Sequence, residues 1–361
     1  MTSHTSIATV FTLIRRFSPY LVTIIGRQSC FLTEGWMLTQ TGRGLQNPHM
    51  HLVIVGAGIA GLSAALYARL YGFETTIYEE LAPGGRCLET VHAKYFPGLP
   101  ADEKAVTLAE RLESQVLDSG AVLRNERVLQ VSSREPASAD GPVTIRTESD
   151  ETFADACIIA VGDERKPAGI PGEEEFAGRG LSYCATCDGP LFRGRDVCVI
   201  GGGDSACDEA LFLSEICSTV HLLCRSEELT ALPALRTELS GRDNIRQYFG
   251  AQVRGLEGTI TDMGFRVLQS VRFRWGGTET SLAVAAAFVF VGRRGLAASI
   301  APELDADADG RLHTDRHMRT SGTMIYAVGS ARSNPIPQFV VAAADGVVAV
   351  KDLYDRMYED T

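Results

Sequence analysis

Two stretches of this sequence share one construction: an apolar run, a glycine turn, and a helix-forming segment behind it. In the first, His51-Leu-Val-Ile-Val55 leads into Gly56-Ala-Gly58-Ile-Ala-Gly61 and then Leu62–Tyr71. In the second, Asp196-Val-Cys-Val-Ile200 leads into Gly201-Gly-Gly203-Asp-Ser-Ala206 and then Cys207–Leu213. A short apolar run bounded by such a turn reads as a strand buried on both faces, the habit of a parallel sheet. Glycines at these spacings permit the tight turn and let a pyrophosphate approach the helix N-terminus. After the first turn a further strand, Glu74–Tyr78, ends at Glu79, placed to accept hydrogen bonds from ribose hydroxyls. Strand, turn, helix and acid together make this a dinucleotide site and constrain the chain to an α/β architecture.

Just ahead of the second unit lies Tyr183-Cys184-Ala-Thr-Cys187-Asp188-Gly189. Cysteines three residues apart in a turn can meet the Cα separation of a disulfide, about 4.4–6.8 Å. The pair can therefore cycle between dithiol and disulfide, and the adjoining acid can deliver or collect the proton of each cleavage. A zinc half-site is the rival reading. A structural zinc site takes four ligands, whereas no second Cys-x-x-Cys exists and the histidines are scattered, so no metal is expected. Of the other cysteines, Cys157, Cys198 and Cys217 lie in apolar runs and read as small core residues. Cys87, beside Arg86, reads as an inert buried thiol rather than a second redox sulfur. One exchange pair without a dense framework of cysteine spacings points to a reducing, cytoplasmic compartment. The net charge of −11 and the lack of a Lys/Arg cluster argue against nucleic acid. In the first 49 residues the apolar runs are broken by Arg15-Arg16, leaving nothing near the roughly 20 residues of a membrane helix.

Ser182–Gly189, Val199–Ala206 and Glu209-Ala-Leu-Phe-Leu213 resemble the low-molecular-weight thioredoxin reductase family, the class II pyridine nucleotide-disulfide oxidoreductases. The similarity runs from about Leu52 to Leu353. It implies two Rossmann-like, three-layer nucleotide-binding domains, the second inserted into the first, and a homodimer. The first domain would bind FAD through Gly56, Gly58, Gly61 and Glu79, through Gly84, Gly85 and Arg86, and through Gly329, Ser330, Gln338 and Phe339. A helix from Val340 to Leu353 would aim its N-terminus at the flavin pyrimidine, where negative charge accumulates on reduction. The family's Gly-Asp is Gly329-Ser330 here, and its Arg-Gln-Ala is Pro337-Gln338-Phe339. A hydroxyl replaces one hydrogen bond of the acid, so FAD remains the expected cofactor.

In the second domain Gly201, Gly203, Ala206 and Arg225 would meet NADPH or NADH. There the family's strand ends in His-Arg-Arg, with another Arg four residues further on. Here Cys224-Arg225-Ser226-Glu227-Glu228 stands in that place, and Thr230 takes the last position. One arginine with two acids behind it is a poor seat for a 2′-phosphate. By the same resemblance Cys187 faces the flavin, Cys184 attacks the substrate and Asp188 donates the proton. The inserted domain would turn about linkers near Asp163–Pro171 and Val291–Gly295.

Residues 1–49 stand apart, with Arg15, Arg16, Arg27 and Arg43 against the single acid Glu34. Their composition suits an organelle transit peptide, and import would follow if they are genuine. The plainer reading, which we adopt, is a disordered extension or mis-assigned start, with translation from Met50. The FAD-binding domain is expected at 50–167 and 293–361, and the inserted domain at 168–292. Asp305–Gly310 has the spacing of a calcium loop, but Arg316 sits where its closing Glu belongs, so a plain turn is expected. The function expected is an FAD-dependent disulfide oxidoreductase passing electrons through Cys184–Cys187 to a thioredoxin-like protein or a small disulfide. One rival is a reductase fed by ferredoxin or another NADPH-independent source, favoured by Cys224–Thr230 and opposed by the acidic net charge. Another is an oxygen-using dithiol oxidase, opposed by Asp188 where such relatives carry His. A binding role with dead chemistry is least compatible with an intact Cys-x-x-Cys-Asp.

Overall fold

A computed structural model describes residues 50–358, apart from 139, 140, 263 and 334, so the expected extension over 1–49 lies outside the described residues. Strand β1 (His51–Val55) runs into helix α1 (Ile59–Leu70), and β2 (Glu74–Glu79) returns beside it. Helix α2 (Ala105–Asp118) leads to β3 (Val122–Asn125). An antiparallel meander of β4 (Val128–Ser138), β5 (Gly141–Thr147) and β6 (Glu151–Ala154) brings the chain back to β7 (Ala156–Ile159). The chain leaves through β8 (Asp163–Arg165).

The second body holds β9 (Leu181–Ser182), the short helix α3 (Ala185–Asp188), β10 (Asp196–Ile200), α4 (Asp204–Ile216) and β11 (Thr219–Leu223). Helix α5 (Pro233–Ser240), β12 (Ile245–Tyr248) and a second meander of β13 (Gln252–Ile260), β14 (Arg266–Trp275) and β15 (Thr278–Ala283) lead to β16 (Ala286–Val289). The chain returns through β17 (Arg293–Gly295), and β18 (Ile325–Ala327) and helix α6 (Phe339–Tyr358) complete the first body.

The result is a two-domain α/β fold with the same plan used twice. One parallel sheet has the order β18-β7-β1-β2-β3, the other β12-β11-β10-β16-β9. In each, the strand that feeds the glycine turn is central, where strand order reverses, so each turn opens at a topological switch point. Each sheet is covered on both faces, which is why its strands read as unbroken apolar runs. Leu52 and Ile54 of β1 pack with Leu62, Ala64 and Leu353 of α1 and α6, while Val53 and Val55 pack with Val131, Val143 and Ile145 of the first meander. In the second body Val197 and Val199 pack with Leu213 and Leu235 of the helices, while Cys198 and Ile200 meet Leu256, Val271 and Phe273 of the second meander.

Several boundaries differ from the sequence pattern, among them those of a helix read over Asp102–Ser119 and a strand read from Ala156 to Gly162. Helix α2 starts only at Ala105, because Lys104 is still extended, bridges His92, and Ala105 N–H is taken by Val91 O. Strand β7 stops at Ile159 as the chain turns across the first glycine loop. Among the described residues no group of side chains could hold a metal ion, and no helix is long and apolar enough to cross a membrane. Asp305–Gly310 is a closed turn, with Asp307 Oδ1 accepting the N–H groups of Asp309 and Arg311.

Candidate functional site

The first glycine turn is held by backbone contact that no side chain would survive. A Cβ on Gly56 would lie 2.5 Å from Ala160 O, and one on Gly61 would lie 1.9 Å from Gly56 O. Glu79 is tied to the same turn, its Oε2 accepting Ala57 N–H at 2.8 Å. Gly84 N–H donates to Ala57 O at 2.8 Å, and a Cβ on Gly85 would lie 3.1 Å from Gly58 Cα. Gly84 and Gly85 therefore rest directly on the turn. Gly329 closes the other side, where a Cβ would lie 3.0 Å from Ala60 Cβ, and Phe339 packs with Ile59 and Cys87. Ser330 follows in the same turn, and Gln338 O accepts Ala342 N–H at the start of α6. One cleft thus gathers nearly all the residues that the sequence assigned to FAD, and its glycine cradle fits a pyrophosphate. Cys87 is buried there, and burial pushes its thiol up to about 12, with Arg86 pulling only partly back. Burial and a raised thiol pKa support reading it as a structural cysteine.

The second turn is built as tightly as the first, and the loop after β11 closes over its rim. A Cβ on Gly201 would lie 2.4 Å from Phe290 O, and one on Gly202 would lie 2.4 Å from Cys224 Sγ. Thr230 donates its N–H and its hydroxyl to Gly202 O, at 2.9 and 3.3 Å. Asp204 Oδ1 accepts Leu232 N–H at 2.7 Å. The loop after β11 is thereby drawn down onto the glycine turn. Arg225 is exposed and makes no ion pair among the described residues, and Glu227 lies against Gly250, where a Cβ would meet its Oε1 at 2.8 Å. No second cation joins Arg225 in this loop.

Cys184 and Cys187 form a disulfide, with Cα atoms 5.3 Å apart. Cys184 caps the short helix α3, its Sγ accepting Cys187 N–H at 3.2 Å and approached by the Thr186 hydroxyl at 3.1 Å. Ser182 braces it, accepting Cys184 N–H and donating to Cys184 O. Asp188 ends the same helix turn, its N–H donating to Cys184 O. Tyr183 donates its hydroxyl to Glu173 Oε1 at 2.6 Å, and the same carboxylate accepts the N–H groups of Ala168 and Ile170. Burial alone would raise Glu173, but these donors hold it below the usual carboxylate range. Sequence reasoning missed Glu173, which ties the incoming linker to the redox segment.

The family model for pyridine nucleotide-disulphide oxidoreductases matches residues 50–346. The chain belongs to that family. Its branch is the low-molecular-weight thioredoxin reductases: this oxidoreductase is 36% identical over 298 residues to a thioredoxin reductase of Treponema pallidum, covering 82% of this chain and 94% of that one. Lactococcus lactis thioredoxin reductase, solved in its FR conformation, superposes with a TM-score of 0.80 at 30% identity, covering 86% of this chain and 99% of that one. Thioredoxin reductase from Streptococcus pyogenes covers the same shares at 29% identity with a TM-score of 0.56. The chain is an FAD-dependent disulfide oxidoreductase of thioredoxin-reductase type, and Cys184–Cys187 is its redox-active disulfide.

In this oxidoreductase the two linkers pair with each other, Arg165 opposite Arg293 and Asp163 opposite Gly295 in an antiparallel ribbon of β8 and β17. Glu89, just behind Arg86, binds both strands of the ribbon, through Arg165 at 2.9 Å and Arg293 at 3.1 Å. Burial would raise Glu89, yet these two arginines hold it low. Lys94 reaches across to Glu238 of α5 in a further ion pair between the two bodies. None of these partners was legible, because a glutamate in a loop looks the same in sequence whether or not a paired ribbon lies above it.

Glu209, on α4 nearly two turns behind Gly203, is 6% exposed and its Oε2 has no hydrogen-bond partner among the described residues. Burial pushes its carboxyl up to about 8, with Arg165 pulling the other way. The folded enzyme therefore keeps this proton up to about pH 8, while the unfolded chain releases it near the ordinary value of 4.5. Between those values the folded state holds the extra proton, so the stability it contributes is full below the lower value and is lost as pH rises through the upper one. The expected slope is at most about 1.4 kcal/mol per pH unit. Denaturant titrations of wild type and Glu209→Gln from pH 5 to 8.5 check it: the stability difference should drift in that direction, and a constant difference would refute a protonated Glu209.

Proposed function

We propose that the physiological oxidant is a thioredoxin-like protein or a small disulfide, reduced by the Cys184–Cys187 pair. The observation that carries this is the pair itself: Cys184 and Cys187 form a disulfide in a segment where neither residue is buried, so a substrate disulfide can approach it. When the pair is reduced, Cys184 is the sulfur that keeps the charge, since the Cys187 N–H and the Thr186 hydroxyl point at it. Its thiolate attacks one substrate sulfur, and the first substrate thiol leaves with a proton carried by Asp188. The Cys187 thiol then attacks Cys184 Sγ, and its proton goes to the second substrate sulfur as that sulfur leaves. One disulfide is broken and one re-formed, so a pair of electrons has moved to the substrate. FAD, when bound, would supply the electron pair that reopens Cys184–Cys187, and Cys187 is the sulfur that would receive it.

The same reading assigns FAD to a domain of residues 50–167 and 293–361, through Gly56, Gly58, Gly61, Glu79, Gly84, Gly85, Arg86, Gly329, Ser330, Gln338 and Phe339. It assigns a nicotinamide dinucleotide to residues 168–292, through Gly201, Gly203, Ala206 and Arg225. The inserted domain turns so that the pair meets first flavin and then substrate. Two relatives of near-equal identity and equal coverage superpose with TM-scores of 0.80 and 0.56. An equally complete match that fits less well as a whole is what rigid bodies in different arrangements produce. The closed loop at Cys224–Thr230 supports a second reading of the donor side, in which ferredoxin or another NADPH-independent carrier reduces the flavin. A homodimer fits the exposed apolar residues of α1 and α6, Leu70 at 76% with Tyr67 and Val348. Among the described residues, six buried free thiols beside one bonded pair support a reducing, cytoplasmic setting.

The test bypasses the donor. Enzyme holding one FAD per chain is reduced anaerobically with dithionite, freed of excess, and mixed with an oxidised thioredoxin or a small aromatic disulfide. Dithionite leaves both the flavin and the Cys184–Cys187 pair reduced, so full flavin reoxidation is expected after two disulfides are consumed per chain, one for each electron pair. A flavin that stays reduced in the presence of both substrates overturns the reading.

A further inference from the structure

We propose that Asp345 is a positioning residue for the flavin, supplying from helix α6 the carboxylate that position 330 lacks and cancelling the charge of Arg332 beside it. The proposal rests on the assignment of FAD to the cleft around Gly56 and Gly329. Ser330 brings only a hydroxyl to the turn, and the acid appears instead on the helix packed behind it. Asp345 is 5% exposed. Its Oδ2 accepts Gly329 N–H at 3.1 Å and Arg332 Nε at 2.7 Å, and its Oδ1 accepts Arg332 Nη2 at 3.1 Å. Both oxygens are committed, and the guanidinium is held by a two-point fork. Backbone packing fixes the place: a Cβ on neighbouring Gly346 would lie 2.4 Å from Ala60 O. The 329–332 turn, α6 and the first turn of α1 are therefore one rigid corner of the cleft.

The corner also has an electrical role. Helix α6 begins at Phe339, which packs with Ile59 and Cys87 beside the glycine turn, so its positive end already belongs to the cleft. A bare Arg332 would add a full cation there and favour the negatively charged reduced flavin. The electron pair would then be held rather than passed to Cys184–Cys187. Asp345 cancels that cation while pinning Gly329, so the turn is rigid without pulling the flavin potential upward.

The midpoint potential of the bound flavin, measured against a reference dye, tests this in wild type, Asp345→Asn, Arg332→Met and the double variant. Asp345→Asn should raise the potential and Arg332→Met should lower it. Each shift should be roughly tenfold in the two-electron equilibrium constant, about 30 mV. The double variant should return close to wild type, which a purely structural role would not produce. Potentials that all match wild type, or single variants that shift in the same direction, overturn the proposal. If Asp345→Asn does not fold, Arg332→Met decides alone: a lower potential supports the proposal, and an unchanged or higher one overturns it. A wild-type chain that takes up no FAD on reconstitution overturns the cleft assignment and this inference with it, and is distinguished by the colourless folded protein.

Discussion

Cys184→Ser and Cys187→Ser each yield an enzyme that holds FAD, whose flavin dithionite still reduces, and that no longer turns over a disulfide. The expected loss is at least about three powers of ten, because a hydroxyl can neither form the disulfide nor serve as its leaving group. The two variants fail in different ways. Cys187→Ser keeps the sulfur that caps α3, with the Thr186 hydroxyl still beside it. It should attack a substrate disulfide once and then stall as a covalent adduct, visible by intact mass, since no second thiol resolves it. Cys184→Ser retains only the exposed sulfur and should form little adduct. If Cys187 faces the flavin, a long-wavelength thiolate–flavin absorbance band survives in Cys184→Ser and vanishes in Cys187→Ser. Sustained turnover by either variant would refute the dithiol route.

NADPH is expected to be a poor reductant, with no advantage over NADH. A hydrogen bond to a charged group contributes roughly 1.5–3 kcal/mol, so two absent arginines weaken 2′-phosphate recognition by about two to four powers of ten. The loop geometry strengthens the expectation. Thr230 is turned inward onto Gly202 O, and Arg225 is left as an exposed cation followed by Ser226, Glu227 and Glu228. Stopped-flow flavin reduction with NADPH, NADH and reduced ferredoxin side by side measures the preference. The double change of Ser226 and Thr230 to Arg should restore a preference for NADPH. A strong preference for NADPH in the wild type would show that other residues hold the phosphate. If neither nicotinamide reduces the flavin even after that change, the donor binds elsewhere and the second nucleotide fold serves as scaffold.

Much of the frame was legible because its signals are local. Strands β1 and β10 begin and end where the sequence places them, since each is an apolar run stopped by glycines that admit no side chain. The Cys184–Cys187 pair was legible for the same reason, its spacing being set within one helical turn. The second meander was not read. Strand β13 is broken by register shifts near Gly255 and Gly258, so its alternation of buried and exposed residues does not persist long enough to show. The acids that organise the site were also hidden. Glu89, Glu173, Glu209 and Asp345 acquire their roles only from partners supplied by distant segments or by burial. Ser330 could be seen as a departure from the family pattern, but the carboxylate at Gly329 comes from the helix that follows, and nothing local announces it.

The β8–β17 ribbon has a consequence for how often the redox sulfurs meet their partners. Both passages of the chain between the two bodies run side by side through one narrow strip, where Glu89 of the flavin segment binds an arginine from each. In the proposed turning of the inserted domain, a body attached in that way swivels about the strip and does not drift from it. The disulfide is therefore confined to an arc of fixed radius instead of wandering through a volume. Its effective concentration at either end of that arc is set by geometry, and dilution of the enzyme leaves it unchanged.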